Sequence, residues 1–205
     1  MKILLTGFEP FGAVRVNPSA KIVEELAAGA STAQRVNLVT KILPTDFAAA
    51  GNQIRRLIRT IRPSAVICLG VAAARKSICL ERVALNLDDE PLPDNAGAVR
   101  KDRRIVRSGP VAYWSTLPLQ EMCEALKERG ISAVISNHAG AYVCNHVFYS
   151  ARHEMERTGS RAPCGLIHVP ALKTKGRVSG TAGMPLAKMV AAVECCLEVL
   201  RTRGA

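Results

Sequence analysis

Short apolar runs alternating with segments of helical periodicity predict an α/β fold, an α/β/α sandwich around a mainly parallel central sheet. Two observations carry this reading. Strand-like runs recur near residues 2–7, 35–43, 64–70, 77–87, 131–137 and 164–169, and helical patterns fall near 18–28, 46–61, 117–129, 145–157 and 184–202. Strands joined through helices cross over and run parallel, so helices cover both sheet faces. Lys2-Ile3-Leu4-Leu5-Thr6 opens the chain as a strand. Asn17-Pro18 starts the first helix, an N-cap followed by a proline whose fixed φ suits the first helical position. Phe47, Ala50, Ile54, Leu57, Ile58 and Ile61 trace one face of the second helix. Ile78 to Leu87 reads as one strand interrupted by Glu81, and Pro91 to Gly109 as a long polar loop near a site entrance or a subunit contact. Ile131 to Ser136 and Gly165 to Val169 are short buried strands, and Leu186, Val190, Val193, Leu197 and Leu200 mark the last helical face. A single domain over residues 1–205 suffices, because a chain of this length can bury roughly 70% of its unfolded surface around one core.

Ala139-Gly140-Ala141-Tyr142-Val143-Cys144-Asn145-His146 puts a cysteine where a strand and a glycine turn give way to a helix. Val147, Phe148, Ala151 and Met155 recur beyond it at helical spacing, so Cys144 falls in the first helical turn. Unpaired N–H groups and the positive end of the helix dipole favour thiolate there, and the same N–H groups can receive a developing oxyanion. A buried structural cysteine is the plain alternative.

A cysteine nucleophile needs a base, and the chain has four histidines. His146 is nearest, but residues two apart on a helix face different ways, so it points away from Cys144 and its loss should matter little. His153 reads as a helix-surface residue. His168 ends a short strand before Pro170, where α/β folds assemble their sites, and is preferred, with His138 in reserve. Glu81 is a candidate to orient the imidazole, since a carboxylate in an apolar strand needs a partner; Arg75 or Arg82 could equally supply one. Asp88, Asp89, Glu90 and Asp94 read as a solvated acidic turn.

Thr6-Gly7-Phe8-Glu9-Pro10-Phe11-Gly12, Glu81-Arg82-Val83-Ala84, Pro93-Asp94-Asn95, Tyr142-Val143-Cys144-Asn145-His146 and Ile167-His168-Val169-Pro170 follow one another along the chain. In this order and spacing the five blocks resemble the pyrrolidone-carboxylate peptidases, also called pyroglutamyl-peptidase I, over essentially the whole sequence. The resemblance implies an α/β/α sandwich, a homotetramer and a cysteine peptidase that removes an N-terminal pyroglutamyl residue from peptides through a thioester. It implies Cys144 as nucleophile, His168 as general base and Glu81 as orienting carboxylate. Pyroglutamate has no free α-amine, so its pocket needs apolar walls and a few hydrogen bonds. Phe8 and Phe11 match the family's aromatic pair around the lactam, and Thr45, Tyr142 and Val143 are further lining candidates. Two positions depart from the resemblance: Val71 stands where a glutamine is common, and Pro91 where an arginine is common. A homologue of weakened or altered specificity is therefore an alternative.

The net charge of +11 points to another class, a basic α/β protein that binds nucleic acid. Its cations are spread over Arg55, Arg56, Arg59 and Arg62, the Arg100 to Arg107 segment, and Lys173, Lys175 and Arg177, with few aromatics between them. That supports non-specific association and a solvated basic surface, so no specific nucleic-acid partner is expected. A phosphate-dependent nucleoside-cleaving enzyme has only fold-level analogy behind it. No apolar run reaches the roughly 20 residues that span a bilayer, and Met1-Lys2 leads straight into a strand, so a cytoplasmic protein without a membrane partner is expected. The seven cysteines have no framework spacing, which suits a reducing compartment. Neither a metal nor another cofactor is expected; Cys164 and His168 would stand roughly 13 Å apart along a strand, too far to share an ion.

Overall fold

The computed structural model describes residues 1–29, 36–173 and 183–204. In chain order it contains β1 (Lys2–Phe8), α1 (Pro18–Ala27), β2 (Asn37–Leu43), α2 (Phe47–Ile61), β3 (Ala65–Val71), β4 (Ile78–Glu81), β5 (Val83–Leu85) and β6 (Asp88–Glu90). There follow β7 (Arg100–Arg103), β8 (Ala112–Trp114), α3 (Leu119–Glu128), β9 (Ala133–Ser136), α4 (Val143–Arg157), β10 (Cys164–Val169) and α5 (Leu186–Arg203). The main sheet has the order β2-β1-β3-β10-β4-β9. Every ladder in it is parallel except β10 with β4. The exception follows from connectivity, because residues 72–77 are too few for a helical crossover and turn the chain back on itself.

Side chains alternate across the sheet as a period of two requires. Ile3 and Leu5 face a core shared with Ile22 and Leu26 of α1, Met122 and Leu126 of α3, and Met189, Val193 and Leu197 of α5. Leu4 and Phe8 face the opposite core, with Phe47 and Ile54 of α2 and Val147, Phe148 and Met155 of α4. This is the expected α/β/α sandwich. Among the described residues no helix is long and apolar enough to cross a membrane.

The start of α1 ties the end of β1 in place. Asn17 Oδ1 accepts from the Ser19 backbone N–H at 3.1 Å and from Ser19 Oγ at 2.9 Å, and Ser19 Oγ accepts from the Phe8 N–H at 3.0 Å. Phe8 and the turn after it are thereby held against the first helix.

Three expectations need correcting. The single strand over 77–87 breaks at Arg82: β4 stays in the main sheet, while β5 leaves it to pair antiparallel with β8. The break has a polar cause, since the Asn145 side chain accepts from the Leu85 N–H and donates to the Leu85 carbonyl, each at 2.9 Å. Second, the supposed loop from Pro91 to Gly109 contains β7, which pairs antiparallel with β6 and is fastened by Arg100 to Asp88 at 2.6 Å. Third, α4 begins at Val143, two residues earlier than the apolar periodicity suggests. Lys175 and Arg177 lie outside the described residues.

Gly7 on β1 makes the approach of α1 possible, because a Cβ there would stand 2.6 Å from the Ser19 carbonyl oxygen and 2.8 Å from its carbon. Backbone atoms cannot swing aside. Gly7→Ala should cost about 1–3 kcal/mol, the usual range for overpacking, measured as a lower urea midpoint with an unchanged slope.

Candidate active site

Cys144, His168 and Glu81 meet on the α4 face of the sheet. β3 and β10 run parallel with Gly70 opposite His168, and β4 runs antiparallel to β10 with Glu81 opposite Leu166. Glu81 is therefore the diagonal neighbour of His168 on one face, a separation that long side chains close. His168 Nδ1 lies 2.8 Å from Glu81 Oε1. The carboxylate can only accept, so Nδ1 carries the proton in this contact and Nε2 faces the other way. Cys144 waits there: a Cβ on Gly70 would stand 2.8 Å from Cys144 Sγ and 2.9 Å from His168 Nε2. Gly70 thus leaves open the space that thiol and imidazole share.

The first turn of α4 is open at its N-terminal end. Tyr142 has extended N-cap geometry and caps with no side chain, and the first helical bond runs from the His146 N–H to the Tyr142 carbonyl at 3.1 Å. The N–H groups of Val143, Cys144 and Asn145 are the ones a helix of this kind leaves unpaired. Gly140, at φ +79°, supplies the left-handed residue that turns the chain from β9 into this helix.

Burial opposes a charge on His168, yet the hydrogen bonds it donates to Cys144 and Glu81, with the attraction of their negative charge, together outweigh it, and the imidazole pKa rises from 6.5 to about 9. Glu81 is 1% exposed, and its Oε2 has no hydrogen-bond partner among the described residues, so His168 is the polar contact of this carboxylate. Burial pushes Cys68 up to about 12 and raises Cys79, Cys164, Cys195 and Cys196 as well. Cys144 is 9% exposed, against 5% for Cys123 and 0–1% for the remaining five.

The sequence model of the pyroglutamyl peptidase family matches residues 1–203. The chain belongs to the pyroglutamyl peptidase family of enzymes. It is 41% identical over 203 residues to a pyrrolidone-carboxylate peptidase of Chromobacterium violaceum, covering 98% of this chain and 93% of that one. A pyrrolidone-carboxylate peptidase of Bacillus cereus is 37% identical over 201 residues with the same coverage. Among solved structures, a mutant pyrrolidone carboxyl peptidase of Pyrococcus furiosus superposes with a TM-score of 0.92 at 35% identity, over 98% of this chain and 99% of that one. Pyroglutamyl peptidase I of Bacillus amyloliquefaciens does so with a TM-score of 0.88 at 34% identity, over 96% and 94% of the two chains.

Within this pyroglutamyl peptidase family member the lining candidates fall into two groups. Phe8 and Val143 are buried in the core cluster that also holds Cys144. Phe11 is half-buried, with its ring 5.6 Å from that of Tyr142. Tyr142 donates its hydroxyl to the Pro93 carbonyl at 3.0 Å. Thr45 is buried, and its hydroxyl donates to the Glu9 carbonyl at 3.0 Å, which braces the turn bearing Phe11. Val71 follows Gly70 at the end of β3 and belongs to neither core cluster. Pro91 is exposed on the segment between β6 and β7.

Several polar residues have other places than the sequence suggested. The acidic turn is not simply solvated: Asp88 is fully buried between His146 and Arg100, and Asp94 accepts from the N–H groups of Phe47, Ala96 and Ala98. His146 points away from Cys144, but into a buried pocket where it meets Asp88 at 2.9 Å, so the expectation that its loss matters little does not carry over to the folded chain. His153 is half-buried, 2.8 Å from the Tyr113 hydroxyl and stacked on Tyr149. His138 is exposed and accepts from the Gly140 N–H at 3.2 Å. Arg55 and Arg59 are partly engaged with Ser150 and Glu154, which reduces the free basic surface. Sequence reasoning missed Gly70, Asn145 and Asp88; an arginine twelve residues beyond Asp88 was the one available signal for the last.

The pair predicts a titration. Stability gained from the His168 cation is fully present below 6.5, the ordinary histidine value, and is lost as pH rises through about 9. The His168 ring signal in proton NMR should therefore titrate near 9, and in Cys144→Ser it should move down, since the thiol's contribution is gone. Iodoacetamide at neutral pH should label Cys144 before the other six cysteines.

Proposed function

We propose that this chain hydrolyses the bond after an N-terminal pyroglutamyl residue of a peptide, with Cys144 as nucleophile, His168 as general base and acid, and Glu81 as the group that holds the imidazole. The observation that carries the reading is the line Glu81, His168, Cys144 ending at the open N-terminus of α4. His168 Nε2 takes the thiol proton, and the thiolate attacks the pyroglutamyl carbonyl carbon. The tetrahedral oxyanion is received by N–H groups of the α4 first turn, with the helix dipole favouring negative charge there. It collapses to a thioester as His168 passes its proton to the leaving amine. Water, deprotonated by His168, then attacks the thioester, releases pyroglutamate and restores the thiol.

Phe11 and Tyr142 supply the apolar surface that a flat lactam needs, with Phe8 and Val143 packed behind them in the core, and Thr45 keeps the Phe11 turn in place. Val71 supports a second reading, altered specificity, because it adjoins the Gly70 slot and offers no hydrogen bond where the family resemblance leads one to expect an amide.

Release of a fluorogenic amine from a pyroglutamyl amide tests the main reading. Cys144→Ser and His168→Ala should each lower kcat by about 10³-fold or more, and Glu81→Gln should cost less, because it keeps shape and loses only imidazolium stabilisation and tautomer control. A serine variant that keeps most of its turnover would remove Cys144 from the mechanism.

Val71→Gln should lower KM by roughly 2- to 10-fold, the worth of one neutral hydrogen bond, with kcat little changed. An unchanged or higher KM would show that other groups hold the ring.

A further inference from the structure

The first turn of α4 is gripped on both sides of Cys144. On one side Tyr142 sets its ring 5.4 Å from Phe47 and gives its hydroxyl to the Pro93 carbonyl at 3.0 Å. On the other, His146 meets Phe47 edge-on at 5.7 Å and turns Nδ1 to both oxygens of Asp88, at 3.0 and 2.9 Å. Asp88 is fully buried and also takes the Arg100 guanidinium at 2.6 Å, and that guanidinium lies over the Phe47 ring at 4.6 Å. Phe47 therefore touches both grips and the cation between them. Behind His146 stands Gly51, where even a Cβ would overlap the imidazole, so the ring has no room to move towards α2.

We propose that Asp88, held between His146 and Arg100, is a positioning residue for the nucleophile: it sets the rotation and depth of the first turn of α4 and so the place of Cys144 Sγ relative to His168. The inference rests on the assignment of Cys144 and His168 above. Asp88 acts through the helix and not on the substrate. A charge buried at this depth is held only while its partners stay, and a helix turn displaced by about 1 Å carries its thiol and its open N–H groups out of reacting distance, which costs on the order of 100-fold in rate. A merely structural Asp88 would lower stability and leave the folded enzyme as fast as before.

The test uses the full chain with Asp88→Asn, His146→Leu and His146→Asn. Each is measured for melting temperature, for kcat and KM on a pyroglutamyl amide well below that temperature, and for the rate at which iodoacetamide alkylates Cys144. Asp88→Asn and His146→Leu should lose roughly 10- to 100-fold in kcat with KM within about threefold, and Cys144 should alkylate more slowly. His146→Asn should recover most of the loss, because its amide N–H can stand where Nδ1–H does. A lower melting temperature with kcat and alkylation unchanged overturns the proposal, as does a rise in KM alone or a His146→Asn variant no better than His146→Leu. If Asp88→Asn does not fold, the two His146 variants decide. Alkylation needs no substrate, so a wild type inert on the pyroglutamyl amide would sink the functional reading while the seating of Cys144 is still read out.

Discussion

Where Gly70 has no side chain, Cys144 Sγ and the His168 imidazole occupy the space one would fill. That close approach constrains the elements around it. α4 must begin above the end of β3, so residues 137–142 have to turn sharply, with Gly140 in the left-handed region. β10 must lie beside β3 for His168 to face Gly70, and β4 must lie on its far side for Glu81 to reach Nδ1. The order β3-β10-β4 is thus what lets three residues far apart in sequence form one line. A side chain at position 70 would push thiol and ring apart before it disturbed anything else.

Two histidine–carboxylate pairs lie on this face of the sheet, His168 with Glu81 and His146 with Asp88, and both are buried. Burying charge is costly unless each charge finds partners, and the two pairs find different ones. Asp88 has the Arg100 guanidinium besides the His146 imidazole, which leaves it neutralised and fixed. Glu81 has His168 alone among the described residues, and beyond His168 stands a thiol. The first arrangement is suited to holding structure in place, and the second to moving a proton, because its positive partner has somewhere to send one.

The alternation of strands and helices was legible in the sequence because each long helix has a face of period 3.6 and each core strand is a short apolar run. Glu81 drew notice as a carboxylate in such a run, and His168 as a histidine at a strand end. What stayed hidden depends on contacts between distant segments. Nothing local says that Asn145 bonds Leu85 and Leu87, and so that the strand after Glu81 must leave the sheet. Nothing local marks Asp88 as buried either, because its partners come from α4 and β7 and the residues that follow it, Asp89 and Glu90, are charged. Gly70 reads as one more small residue until the thiol and the ring are placed against it.

With Cys144 as the proposed nucleophile, the other six of the seven free cysteines have to stay quiet, and deeper burial keeps them so. Cys68 and Cys164 sit on strands beneath α4, inside the same core cluster as Cys144, with their sulfurs closed off from solvent. An apolar surrounding disfavours thiolate, and the thiolate is the reactive form, so burial lowers both access and nucleophilicity together. Cys144 differs in its surroundings: it lies in the first turn of α4, where open backbone N–H groups and the His168 imidazole stand beside it. Selectivity among the thiols then requires no special device at the six. It follows from placing one of them at the edge of the core, where the sheet ends and α4 begins.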